Sequence, residues 1–203
     1  MIVLAIIVVV VILSLGTAAT RQRSERAARQ RANREVRQAL QGDAASVRRQ
    51  LTEFGRRFRG ASIRQALAAV RACRATSARE VAAALVELAG HRADAVGEAA
   101  SLALNDLGAH GLRTAWEALS RAEGLATNRL QGFIAAHPDW LFTHLMDAFA
   151  AQGPSAVAAY RAWWLTDGVR HRLELLITVS DAVNRERAQA IQSLLSGPSD
   201  HVA

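Results

Sequence analysis

The sequence contains no lysine; all 25 of its basic residues are arginine. A GC-rich genome produces that bias without any pressure from function, and a bacterial source is expected. The physical consequence stands either way. Every positive charge is a planar guanidinium, suited to two-pronged contacts with phosphate or carboxylate. Cysteine is almost absent too. Cys73 stands alone, which excludes an intramolecular disulfide and a cysteine-based metal cluster, and a single thiol fits a reducing compartment. Glycine and proline number 13 and 3, too few for a low-complexity chain. β-branched and aromatic residues are sparse after the first thirteen positions, which argues against a sheet.

Signatures of chemistry are missing as well. There is no G-x-S-x-G, no glycine-rich phosphate loop and no H-E-x-x-H. No catalytic residue, cofactor site or metal site is expected, and the chain is read as something other than an enzyme. Cys73, between Ala72 and Arg74, reads as a small core residue of a helix. His144 and Asp147 are spaced for one helix face, but Pro138 separates them from His137.

Charge is also absent from the first twenty residues, "MIVLAIIVVVVILSLGTAAT". As a helix, residues 2–20 reach ~28 Å, close to the ~30 Å of a bilayer's hydrocarbon core. Gly16 to Ala19 could pass for the cleavage region of an export signal. The chain then continues "RQRSERAARQRANREVRQ", and such positive flanks stay on the cytoplasmic side. The reading is a single-pass transmembrane helix over 1–20 in the inner, cytoplasmic membrane. Its N-terminus faces out and the helical domain lies in the cytoplasm.

Beyond residue 20 the charge is unevenly spread. Residues 21–59 carry twelve arginines against four acids, a net of +8, whereas 60–203 carry thirteen against fourteen, a net of −1. The basic character therefore belongs to one short stretch. Over 21–42 the sequence reads as a juxtamembrane segment. Ala28, Ala32, Val36 and Leu40 fall four apart, too narrow a row for a sustained apolar stripe, and arginines at i,i+3 repel. Arg21, Arg23, Arg26, Arg29, Arg31, Arg34 and Arg37 are candidates for contact with lipid headgroups or phosphate. Arg48, Arg49, Arg56 and Arg57 extend the set. They flank Val47, Leu51, Phe54 and Phe58, one face of a helix capped by Asp43 and ended by Gly60. That amphipathic helix suits either a membrane surface or a protein core.

From residue 43 to 198 an all-helical soluble domain is expected, followed by a disordered tail over 199–203. Capping patterns at Ser62…Gln65 and Ser77…Glu80, glycines such as Gly90, Gly108, Gly124 and Gly153, and Pro138 mark the helix ends. They predict helices near 62–74, 77–89, 94–107, 112–123, 127–136, 139–152, 155–165 and 168–196. The predicted core stripes are Ile63–Leu67–Val70, Val81–Leu85–Leu88, Leu102–Leu104–Leu107, Leu112–Trp116–Leu119 and, on the last helix, Val169 to Leu194. The fold class is all-α: a transmembrane helix followed by a bundle or a short α-solenoid of antiparallel helices.

Seven of the ten aromatic residues lie within 133–164. Trp140, Tyr160, Trp163 and Trp164 are the candidate partner-binding residues, since tryptophan and tyrosine are common contact anchors. The expected function is a membrane-anchored adaptor or scaffold that binds a protein partner at the cytoplasmic face. Two alternatives stay open. One is a membrane-tethered, non-specific nucleic-acid or anionic-lipid binder acting through 21–59. The other is an envelope or cell-lysis component with its helices outside the cytoplasm. The expected partners are the bilayer and a protein, with nucleic acid less favoured.

Overall fold

The structure, a computed structural model, describes residues 2–76, 78–153, 167–179 and 181–196. Among them are ten α-helices and no strand, so the chain is all-α. In order they are α1 (Ile2–Ala39), α2 (Ala44–Arg59), α3 (Ile63–Arg74), α4 (Ala82–Ala89), α5 (Asp94–Asp106) and α6 (Ala109–Leu119). Then come α7 (Leu125–Ala135), α8 (Pro138–Gln152), α9 (Asp167–Val179) and α10 (Ala182–Ser196). A 3-10 turn, Arg79–Val81, leads into α4. The expected helix at 155–165 and the tail at 199–203 lie outside the described residues.

The helices group into two compact units, residues 1–129 and 130–203. The sequence suggests one soluble domain beginning at 43, but the first unit takes in α1 as well. That helix runs unbroken through the arginine segment. Ala32, Val36 and Ala39 are buried, and α1 packs on α3 and α2. A narrow row of small side chains suffices because two neighbouring helices close over it. Tertiary packing outweighs the weak propensity of the isolated, self-repelling helix. Gly42, at φ +133°, makes the turn after α1.

Local signals explain α2 well. Asp43 accepts hydrogen bonds from the backbone N–H groups of Ala45 (3.1 Å) and Ser46 (3.0 Å), an N-cap. Val47, Leu51, Phe54 and Phe58 are all buried. The amphipathic face therefore belongs to the core rather than to a membrane surface. Gly55 lies where α2 crosses α4. A Cβ there would stand 2.6 Å from the Ala84 carbonyl oxygen, so only glycine permits that approach.

Short α4 is the hub of the first unit. It packs on α2, α3, α5 and α6, and Ala82, Ala84, Leu85, Val86, Leu88 and Ala89 are buried. A helix apolar on nearly every side needs to be surrounded. The remaining main contacts join α1 to α3 and α3 to α5. Odd-numbered helices thus stack on odd and even on even, the connectivity of stacked helix pairs within a helical bundle. The starts of α3, α5 and α7, at Ile63, Asp94 and Leu125, are evenly spaced.

Three apolar stripes differ from their sequence readings. On α3 the buried face is Ala66, Ala69, Val70 and Cys73, with Ile63 50% exposed. Alanines let α3 sit close to its neighbours, and the larger side chains turn aside. On α5, Leu104 is buried but Leu102 is 60% exposed, because a two-residue step puts them on different sides of a helix. The expected long helix over 168–196 is two helices. Asp181 accepts the Asn184 backbone N–H at 2.9 Å, capping α10 and breaking the run. By contrast, Val81, Leu85 and Leu88, and Leu112, Trp116 and Leu119, are buried as predicted.

In the second unit α8, α9 and α10 pack together, with Pro138 at the start of α8. Leu141 and Leu145, Val169 and Leu173, and Ala188 and Ile191 are buried on the three helices in turn.

Candidate functional site

The arginines of 21–59 separate by what they touch. Arg31 pairs with Glu35 one turn on, at 2.9 Å, and Arg57 of α2 reaches the same carboxylate. Arg57 also lies over the rings of Phe58 (5.2 Å) and Phe54 (5.9 Å). Arg48 pairs with Glu117 of α6 at 2.9 Å, and Arg56 with Glu87 of α4 at 3.1 Å. Four of the predicted headgroup contacts therefore have a carboxylate partner within the fold, while their side chains stay more than half exposed. The Arg21 side chain lies outside the described residues.

Arg23, Arg26, Arg29, Arg34 and Arg37 of α1, and Arg49 of α2, are exposed and have no hydrogen bond or ion pair among the described residues. Helical geometry divides the α1 set. At 100° per residue, Arg23, Arg26, Arg34 and Arg37 fall within an arc of about 80°, opposite buried Ala32. Gln30 lies between them on the same face. The stripe is cationic along its length and holds no acid.

Arg29 points elsewhere. It lines a groove of about 390 Å³ between α1 and α3, within the size range of small-ligand sites. Arg64 and Arg71 of α3 line it too, against the single carboxylate of Glu25. Its apolar lining is Ile63, Leu67 and Ala68. Arg64 ties the two helices together, donating from Nη1 to Ser24 Oγ at 2.8 Å, with its Nε 3.9 Å from Glu25 Oε1. The Arg71 side chain makes no hydrogen bond or ion pair among the described residues. Sequence reading misses this cluster because it groups arginines by run. The groove joins residues about forty positions apart, and its α3 members carry no motif.

The aromatic candidates are only partly visible. Trp140 is half-buried on α8 and stacks on His144 one turn on, with ring centroids 4.8 Å apart and planes 7° from parallel. Tyr160, Trp163 and Trp164 lie outside the described residues.

Two further groups have structural employment. Cys73 is buried on α3, and burial pushes its thiol up to about 12. The thiolate that would react is therefore scarce at neutral pH. His91 is fully buried. Its Nδ1 accepts the Ala93 N–H at 2.9 Å and its Nε2 donates to the Ala61 carbonyl at 3.0 Å. Both ring nitrogens are bonded to backbone, so the ring joins two turns. Beside it, Arg129 donates to the Ala89 carbonyl and to Asp94 Oδ1, each at 2.7 Å. Gly97 leaves room for that guanidinium, since a Cβ there would stand 2.3 Å from Nη1.

No group of three or more histidine, cysteine, aspartate or glutamate residues placed to hold a metal ion is found among the described residues. Nor, among them, is any helix long and apolar enough to cross a membrane; the side chains of 2–19 lie outside that set. No family model matches the chain, and comparison with curated proteins and with solved structures finds no match.

Proposed function

We propose that the chain is a membrane-anchored helical adaptor that holds its first unit at the cytoplasmic face of a bilayer and binds a protein partner there. One observation carries the reading: α1 is a single helix from Ile2 to Ala39. Its first half contains no charge, and its second half is a core element of the first unit. Anchor and body share one rod, with no loop between them. The dense arginines directly after residue 20 are the pattern that keeps a flank on the cytoplasmic side. The partner surface is assigned to the aromatic region around Trp140, and the tether raises its local concentration near membrane partners.

Resistance of the full chain to carbonate extraction tests the anchor. Orientation calls for a new thiol, because Cys73 is buried. Gln41→Cys in a Cys73→Ala background places one in the exposed turn after α1. The expected result is no labelling by an impermeant maleimide in intact cells and full labelling after lysis. Labelling of intact cells would reverse the orientation and favour the envelope reading. A photo-crosslinker at position 140 should yield a discrete adduct with a membrane-associated protein.

The exposed arginine stripe favours a second reading, in which 21–59 neutralises a polyanion. With Phe54 and Phe58 buried, the described surface there has no aromatic for base stacking. Nucleic-acid binding would rest on phosphate alone and fall steeply with salt.

A further inference from the structure

We infer that the α1–α3 groove is a binding site for the headgroup of an anionic phospholipid from the same bilayer, an inference that rests on the anchor reading above. Three independent features converge on it.

The first is charge. Arg29, Arg64 and Arg71 face the groove against Glu25 alone, an excess of two positive charges. Glu25 is drawn toward Arg64, while the Arg29 and Arg71 side chains make no bond among the described residues. Two guanidiniums flanking one groove are donors in search of a phosphodiester, which each can hold by two N–H groups.

The second is the lining. A site for free phosphate needs only donors, whereas this groove presents Ile63, Leu67 and Ala68 beside them. Ile63 is half exposed at the start of α3, with no described residue covering it further. An apolar side chain next to a basic one matches a ligand whose phosphate continues into glycerol and acyl carbons.

The third is height. Glu25 and Arg29 lie five and nine residues past Thr20, so ~8 and ~14 Å along the helix axis. The headgroup layer occupies roughly the first 5–8 Å beyond the hydrocarbon. Glu25, at the mouth of the groove, therefore meets the outer edge of that layer, and Arg64, held to Ser24 and Glu25, sets the start of α3 at the same level. Arg29 and Arg71 are rooted farther out, and their long side chains, leaning toward the helix N-termini and so toward the bilayer, cover the remaining distance. Arg34 and Arg37 stand a further turn or two away and face outward.

The test uses the full chain in uncharged detergent micelles, with native mass spectrometry to count retained lipid. The probes are phosphatidylglycerol and phosphatidylcholine of matched chains, and inorganic phosphate as competitor. At roughly fivefold per arginine, the wild type should retain phosphatidylglycerol about twentyfold over phosphatidylcholine. The variant R29Q/R71Q should bring the ratio near parity while unfolding at the wild-type temperature, since neither side chain holds a partner. R34Q/R37Q removes equal charge from the outer face of α1 and should leave the ratio within twofold. Ile63→Asn should lower retention of both lipids. An undiminished ratio in R29Q/R71Q overturns the site, and so does an equal fall in R34Q/R37Q, which would make the preference one of net charge. Millimolar phosphate that displaces the lipid overturns the lipid assignment. Carbonate extraction is read separately: release of the wild type sinks the anchor reading, whatever the lipid ratio in micelles.

Discussion

Two helices in succession, α1 and α2, carry nearly the same chemistry and use it in opposite ways. The arginines of α2, Arg49 apart, lean on acids of other helices: Arg48 on Glu117, Arg56 and Arg59 on Glu87, Arg57 on Glu35. Those of α1, apart from Arg31 with Glu35, Arg29 in the groove and Arg21, project along a face without an acid. The difference is one of position in the stack. Helix α2 lies between α1 and α4 and is within reach of carboxylates, whereas α1 is the first helix of its row. A basic run in a sequence is therefore two populations, one paired with acids of the fold and one left without an acid partner.

The comparison can be broken most forcefully from the buried side of α1. Ala32→Glu puts a carboxylate where no exposure remains, and should cost about 4 kcal/mol in urea unfolding. Arg34→Glu, two residues on and facing out, should leave the unfolding midpoint unchanged. Comparable losses from both would mean α1 is not packed as described. Next in size is Gly55→Val. It pushes α2 off α4, separates Arg56 and Arg59 from Glu87, and should cost about 3 kcal/mol by the same measurement.

A third effect depends on pH. The folded-state thiol of Cys73 titrates near 12 against an ordinary value of 9.0. Below pH 9 both folded and unfolded chains keep the proton, and stability does not respond. Above it the unfolded chain loses the proton first, so stability falls by about 1.4 kcal/mol per pH unit until the folded thiol titrates. Cys73→Ala should remove that decline between pH 9 and 10.5. With no lysine in the chain the window is unusually clear. A parallel decline in the variant would contradict the burial of α3's inner face. The smallest effect sharpens the contrast between helices: Arg57→Gln should cost ~0.5–1 kcal/mol, and R34Q/R37Q nothing measurable.

Much of this architecture is legible in the residues themselves. Asp43, Pro138 and the glycines at helix ends announce most boundaries, and the α2, α4 and α6 stripes are buried as their spacing predicts. Less legible is α1. Its row of Ala28, Ala32, Val36 and Leu40 is visible in the sequence, but the decision to bury it belongs to α2 and α3. The same holds for α3, where alanines beat Ile63 and Leu67 to the core because closeness, not side-chain size, wins the contact. Asp181 could have been read as a cap within the last helical stretch, and only the continuous apolar spacing hides it. The groove is the least legible, since Arg29 and Arg71 come to line one surface only when two helices lie side by side.

An unjointed α1 also sets the azimuth of what it carries. Each residue of a helix turns the chain by 100° and lifts it 1.5 Å. On the proposed anchor reading, one residue inserted between Thr20 and Ser24 would therefore swing the first unit about a quarter-turn around the membrane normal while hardly changing its altitude. Two proteins differing by that single insertion would present different sides to the same neighbour, so the spacing between the uncharged stretch and the first buried alanine is a setting in phase, as the teeth of a gear are.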